Sequence, residues 1–256
     1  IMLNINSKDN SFYKTLKKIS LNKKFRLGLG QTLLDGAHLI KAYQKYSQPL
    51  ALIKDESINS SEVINLIQNN EKIKCLSLRH DLFLKLSELK TSSGILGLVE
   101  IPKNIIAASP LTLLLDRIQD PGNLGTILRP ATASGVTSAV LSTGCADIWS
   151  PKTLRASQGF QFGLSFLTEQ DLSVWIDDFD GEVFAFTKGG QSIYDTSLDK
   201  NIAILIGSEG SGIDGPLLEK TDGTLSIPMQ NDVESVNAAV AASVFMYEFY
   251  RQNEGK

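Results

Sequence analysis

The stretch LTLLLDRIQDPGNLGTILRPATASG, Leu111–Gly135, decides how the second half of this chain folds. It opens with a short apolar run that does not alternate, which suits a strand buried on both faces, the condition of a parallel sheet. A polar loop rich in Asp, Pro and Gly follows, and then a helix-forming segment. Asn123 is expected to cap that helix at its start, and Gly135 marks its end. Pro130 falls beyond the first turn and removes the N–H that would bond to Thr126, so a kink is expected there.

The same kind of run recurs at VTSAVL (Val136–Leu141), EVFAFT (Glu182–Thr187) and IAILIG (Ile202–Gly207). Helix candidates lie between them: one starting at Ser150–Pro151, with a cap and Pro at the first helical position, and another over Thr168–Asp178. The last, Ser235–Tyr250, is alanine-rich and carries Val236, Val240, Val244, Tyr247 and Tyr250 on one stripe. Open parallel sheets bind ligands outside the carboxyl ends of their strands, so the loops matter most. Three have unusual composition: Asp116–Gly135, Gly207–Gly212 (GSEGSG) and Ile227–Asn237 (IPMQNDVESVN). No GxGxxG opens the first helix and no GxxxxGK[ST] occurs, which disfavours a dinucleotide site and a P-loop. GSEG does not place its Ser as GxSxG requires, and both histidines precede it, which disfavours a hydrolase triad.

Ahead of these strands, IPKNIIAASP (101–110) is bracketed by prolines and reads as a linker between a domain over 1–100 and one over 111–256. In the first domain, helix-period segments near Ser7–Ser20, Gln31–Tyr46, Ser60–Asn69 and His80–Leu89 alternate with apolar runs at Pro49–Ile53, Lys74–Leu78 and Ile95–Val99. The alternation predicts a small α/β layer domain. Leu33, Leu34, Ala37, Leu39, Ile40 and Tyr43 supply the stripe of its second helix.

Composition bounds the function. A hydrophobic fraction of 42% with 21% charged residues is that of a soluble globular protein. No apolar run reaches the ~18–20 residues that span a bilayer, and the start lacks a signal-peptide pattern. A cytoplasmic protein with no membrane partner is expected, its natural start at Met2 after a stray Ile1. Cys75, Cys145, His38 and His80 are too few and too scattered for a zinc site or a disulfide framework, so no metal is expected. The net charge of −3 hides an asymmetry. Residues 1–50 hold nine Lys and Arg against Asp9 and Asp35, a balance of +7 that suits contact with phosphates.

Together the three loops resemble the signature motifs of the SpoU (TrmH) family of RNA 2′-O-ribose methyltransferases, in the SPOUT superfamily. The first motif stands here as Asn123, Gly125 and Arg129, and the second as Gly207, Glu209, Gly210 and Gly212. The third is Ile227-Pro228-Met229, then Ser235-Val236-Asn237 and Ala238–Ala242. A further family stretch stands as Ser150-Pro151-Lys152 and Arg155-Ala156-Ser157. Four motifs in order across about 140 residues are specific. More loosely, Lys24–Arg26, Leu33–Ile40 (LLDGAHLI) and Gly94–Val99 are similar to the ribosomal-protein-L30e-like domain that many members carry, with Asp35 where Glu is more usual.

The resemblance implies a C-terminal parallel-sheet α/β domain with a deep trefoil knot, and a smaller N-terminal L30e-like α/β domain that binds the RNA. It implies S-adenosyl-L-methionine as cofactor, held by Gly207, Gly212, Ile227, Met229 and Val236. Arg129, Asn123, Glu209, Ser235 and Asn237 are the implied catalytic set. Lys23, Lys24, Arg26 and Arg155 are the RNA-binding candidates. Ribosomal RNA is expected ahead of tRNA, and a homodimer through the knotted domain is implied. The rival reading is a non-catalytic RNA-binding protein on the same fold.

Overall fold

The computed structural model describes residues 3–87, 89, 92–103, 105–198, 201–208, 210–230 and 235–254. In chain order the first elements are β1 (Leu3–Ile5), α1 (Ser11–Leu21), α2 (Lys23–Leu29), β2 (Gln31–Asp35), α3 (Ala37–Tyr43) and β3 (Ala51–Asp55). They are followed by α4 (Ser61–Gln68), β4 (Lys74–Leu78), α5 (His80–Phe83) and β5 (Ile95–Glu100). Then come β6 (Leu111–Leu115), α6 (Pro121–Ala133), β7 (Ser138–Ser142), α7 (Pro151–Ser157), β8 (Ser165–Gln170) and α8 (Leu172–Asp177). The chain finishes with β9 (Glu182–Ser192), β10 (Ile202–Ile206), α9 (Gly215–Leu218), β11 (Gly223–Ser226) and α10 (Ala238–Asn253). Among the described residues no helix is long and apolar enough to cross a membrane.

Two units emerge from the contacts: Ile1–Pro102 with Asp147–Phe162, and Lys103–Ala146 with Gly163–Lys256. The first is built on a mixed sheet of order β1-β4-β3-β5-β2. Its β1, β4 and β3 run parallel, and β5 pairs antiparallel with both β3 and β2. Tyr13, Leu16 and Ile19 of α1 pack with Leu33, Ile53, Leu76 and Phe83 in its core. The predicted helix over Gln31–Tyr46 is instead β2 followed by α3. Gly36, at a φ of +110°, makes the break, and Leu33 and Leu34 point from a strand.

Asp147–Phe162, which the pattern of the chain places in the C-terminal domain, is held in the first unit by buried polar and aromatic contacts. Thr32 Oγ1 donates to the Trp149 carbonyl at 2.7 Å, and the Tyr43 and Phe162 rings meet edge to face at 4.9 Å. The start of α7 is as expected: Ser150 Oγ accepts the Thr153 N–H and Pro151 occupies the first turn.

The second unit is a six-stranded sheet, β11-β9-β10-β6-β7-β8, parallel at every pairing. Every residue of β6, β7 and β10 is buried, as continuous apolar runs require. Thr168–Asp178, expected as one helix, is the end of edge strand β8 followed by the shorter α8.

Candidate active site

The loops at the carboxyl ends of β10, β6 and β11 carry the chemistry-bearing residues, and each is shaped by a local constraint. After β10 the chain doubles back: the Gly212 N–H donates to the Ser208 carbonyl at 2.9 Å. A Cβ on Gly207 would lie 2.5 Å from the Gly212 carbonyl carbon and oxygen and 2.6 Å from the Ile213 nitrogen. Only glycine permits that backbone approach. Gly212 itself has a φ of +65°.

This turn, the end of β11 and the start of α10 enclose a cavity of about 400 Å³. Ile206, Ile213, Ile227, Met229, Val236 and Ala241 give it apolar walls. Gly207, Gly212, Ile227, Met229 and Val236, the five residues expected at the cofactor, all line it, as do Ser235 and Asn237. Phe186, Thr187 and Lys188 of β9 complete the wall. They carry no motif, and β9 extends five residues past the apolar run that marks it in the sequence.

A second cavity, of about 500 Å³, lies beside the first and shares Ser208 and Ala238 with it. Arg117, Gln119, Asp120 and Asn123 line one side, and Gly210 and Ser211 another. Asn237 Nδ2 donates to Asn123 Oδ1 at 3.2 Å, joining the start of α10 to the first turn of α6. Asn123 is not the cap of α6. That is Asp120, whose Oδ1 accepts the Asn123 N–H at 2.7 Å, with Pro121 opening the helix. The correction has a simple cause: Asp followed by Pro outcompetes a later Asn as a helix start, since Pro fits the first turn and lacks only an N–H that would be unbonded there.

Arg129 is exposed on α6 and is not among the residues lining either cavity. It stands six residues past Asn123, roughly 9 Å along the helix axis. The helix runs through Pro130 to Ala133, and Ser134 N–H donates to the Pro130 carbonyl. Glu209 lies outside the described residues.

The RNA-binding candidates divide. Lys24 and Arg155 are exposed and Lys23 is half-buried. Arg26 is only 3% exposed. Its Nε and Nη2 donate to Asp147 Oδ2 at 2.9 and 2.6 Å, and Nη1 bonds the Ile19 and Ser20 carbonyls. Arg26 is therefore a buried strut of the first unit, not a phosphate contact. The tie to a residue 121 positions away leaves no local trace in the sequence.

A parallel sheet whose carboxyl-end loops enclose an apolar cavity beside a polar one is the arrangement of an α/β enzyme that binds a cofactor next to its substrate. Residues 110–247 match the SpoU rRNA Methylase family, and the chain belongs to that family. It is similar to the 23S rRNA (guanosine(2553)-2′-O)-methyltransferase RlmP of Bacillus subtilis, with 34% identity over 96% of this chain and 98% of that protein. It is also similar to the 23S rRNA (uridine(2479)-2′-O)-methyltransferase of Streptomyces viridochromogenes, at 27% identity over 90% and 86%. Its fold matches the crystal structure of the SpoU methyltransferase AviRb from Streptomyces viridochromogenes in complex with AdoMet. That match has a TM-score of 0.86 at 24% identity, over 96% of this chain and 99% of that one.

Proposed function

We propose that this protein transfers the methyl group of S-adenosylmethionine to a ribose 2′-hydroxyl in ribosomal RNA. The Asn237–Asn123 hydrogen bond carries the reading, because it joins a residue of the apolar cavity to a residue of the adjoining polar one. Family membership and the activity of the Bacillus relative support the same chemistry.

The residues present fit the cofactor. The close approach at Gly207 keeps side chains out of the turn, and backbone groups at Gly207, Ile227 and Val236 would hold the adenine. Apolar walls exclude water from the rest. S-adenosylmethionine, when bound, supplies an electrophilic sulfonium methyl. Asn123 and Asn237 orient the ribose, and Ser235 holds the same corner. Glu209 is assigned to the same reaction on the strength of its motif alone. A guanidinium is a poor proton acceptor. Arg129 therefore grips the neighbouring phosphate and stabilises the developing alkoxide, while a phosphate oxygen takes the proton.

Lys23, Lys24 and Arg155, all in the first unit, meet the RNA backbone, and the second unit is the catalytic one. Val240, Tyr247 and Tyr250 leave an exposed stripe on α10, 51, 50 and 41% accessible, and this stripe pairs two copies into a homodimer.

The test is transfer of labelled methyl from S-adenosylmethionine to unmodified ribosomal RNA, with the product mapped as an alkali-resistant linkage. Label confined to tRNA would move the substrate. RNA binding without transfer to any RNA would make the chain a non-catalytic RNA-binding protein.

A further inference from the structure

β9 leaves its ladder where it passes the apolar cavity. Ala185 lies opposite Thr224 and Gln191 opposite Leu225, so 186–190 bulge out between two successive residues of β11. A bulge re-aims the side chains it carries. Both ends of this one are fixed. At its start the Phe186 ring meets that of Phe245 on α10 edge to face, with centroids 5.6 Å apart. At its end Ser226 Oγ donates to the Gly190 carbonyl at 2.7 Å, and a Cβ on Gly190 would lie 2.6 Å from the Thr224 carbonyl carbon and oxygen. Gly189, at a φ of +78°, supplies the left-handed step between them. Phe186, Thr187 and Lys188 thereby enter the cavity wall.

Lys188 is the one ionisable side chain among the described residues that line this cavity; the rest are apolar or are Gly, Ser, Thr and Asn. It is exposed and forms no ion pair with a described residue. At neutral pH the sulfonium and ammonium groups of S-adenosylmethionine are positive and its carboxylate is negative. A lysine ammonium repels the first two and attracts only the third, so it favours a bound cofactor whose carboxylate turns toward it. The other anion in the reaction is an RNA phosphate. Lys188 is not among the residues lining the second cavity, which holds Asn123, and this favours the carboxylate.

We propose that Lys188 holds the carboxylate of the cofactor's methionine part, so that the 186–190 bulge selects S-adenosylmethionine over adenosyl compounds lacking that group. The inference rests on the methyltransferase reading above and adds a residue to its cofactor site.

The test is calorimetric titration of the full chain with S-adenosylmethionine and with decarboxylated S-adenosylmethionine, which keeps the sulfonium and the amine. Lys188→Met loses the charge, and Lys188→Arg keeps it. The wild type should bind S-adenosylmethionine about three- to fivefold more tightly than the decarboxylated compound, the range a solvent-facing ion pair supplies. Lys188→Met should lose this preference by binding S-adenosylmethionine more weakly, while it binds the decarboxylated compound at least as well as the wild type does. The preference should shrink as salt is raised and return in Lys188→Arg. Equal losses on both compounds in Lys188→Met would make Lys188 a prop of the bulge. Unchanged affinity for S-adenosylmethionine in that variant would place the ammonium away from the carboxylate, and weaker binding of ribosomal RNA alongside it would turn Lys188 toward a phosphate. Each of these results overturns the proposal and leaves the methyltransferase reading intact. Failure of the wild type to bind either compound would overturn both.

Discussion

Asn237 bonds in two directions at once: its Nδ2 donates to Asn123 Oδ1 at 3.2 Å, while its Oδ1 accepts the N–H groups of Ala239 and Val240. The helix cap and the link between cavities therefore share one side chain, and substitution can separate them. Asn237→Ser keeps a capping oxygen but loses the donor to Asn123. Its melting temperature should stay near that of the wild type, with methyl transfer reduced at least tenfold. Asn237→Ala loses both and should also cost about 1 kcal/mol of stability. Equal activity of Asn237→Ser and wild type would show that the bond to Asn123 has no part in the reaction.

At Gly207 an added methyl meets backbone atoms at 2.5–2.6 Å, and backbone cannot yield as a flexible side chain can. Gly207→Ala should therefore open the turn, destabilising the protein by about 1–3 kcal/mol and weakening S-adenosylmethionine binding at least tenfold. Calorimetric titration and thermal unfolding of the same preparation check both effects. Unchanged cofactor affinity would place the binding site away from this turn.

Arg26 and Asp147 form a buried pair, with side chains 4% and 8% exposed. Removing one partner strands the other charge. Arg26→Ala and Asp147→Ala should each cost about 3–5 kcal/mol in denaturant unfolding, and Arg26→Met with Asp147→Leu together should cost less than the two single losses combined. A variant of Arg26 that keeps full stability yet binds RNA more weakly would return this residue to the RNA surface.

What the sequence reveals follows from how local each feature is. β6, β7 and β10 are visible because strands buried on both faces carry continuous apolar runs, and β9 shows only through the VFAF near its start, since its second half is polar and largely exposed. The edge strand β8 is half-exposed, and its SFLTEQ reads as readily as a helix start. At the site, Gly207, Ile227, Val236 and Asn237 are found through their motifs, and the cavity gathers them. Lys188 and Arg117 line cavities without belonging to any motif, so only tertiary structure reveals them. The Asp120–Pro121 cap was available from local chemistry alone, whereas the Arg26–Asp147 tie was not.

Pro130 sits inside α6 one residue after Arg129, where a proline cannot donate the helical hydrogen bond. An interior proline costs about 3 kcal/mol relative to alanine, and its restriction of the unfolded chain returns up to about 1 kcal/mol. Pro130→Ala should therefore stabilise the protein by about 2 kcal/mol, read from the denaturation midpoint at constant slope. The catalytic consequence is the sharper test. If the break in hydrogen bonding sets the path of α6 around Arg129, the stabilised variant loses methyl transfer while its cofactor affinity is unchanged. Arg129→Ala supplies the reference, with transfer abolished and cofactor binding within about twofold of wild type. A Pro130→Ala enzyme that is both more stable and fully active would show that α6 presents Arg129 correctly without the proline.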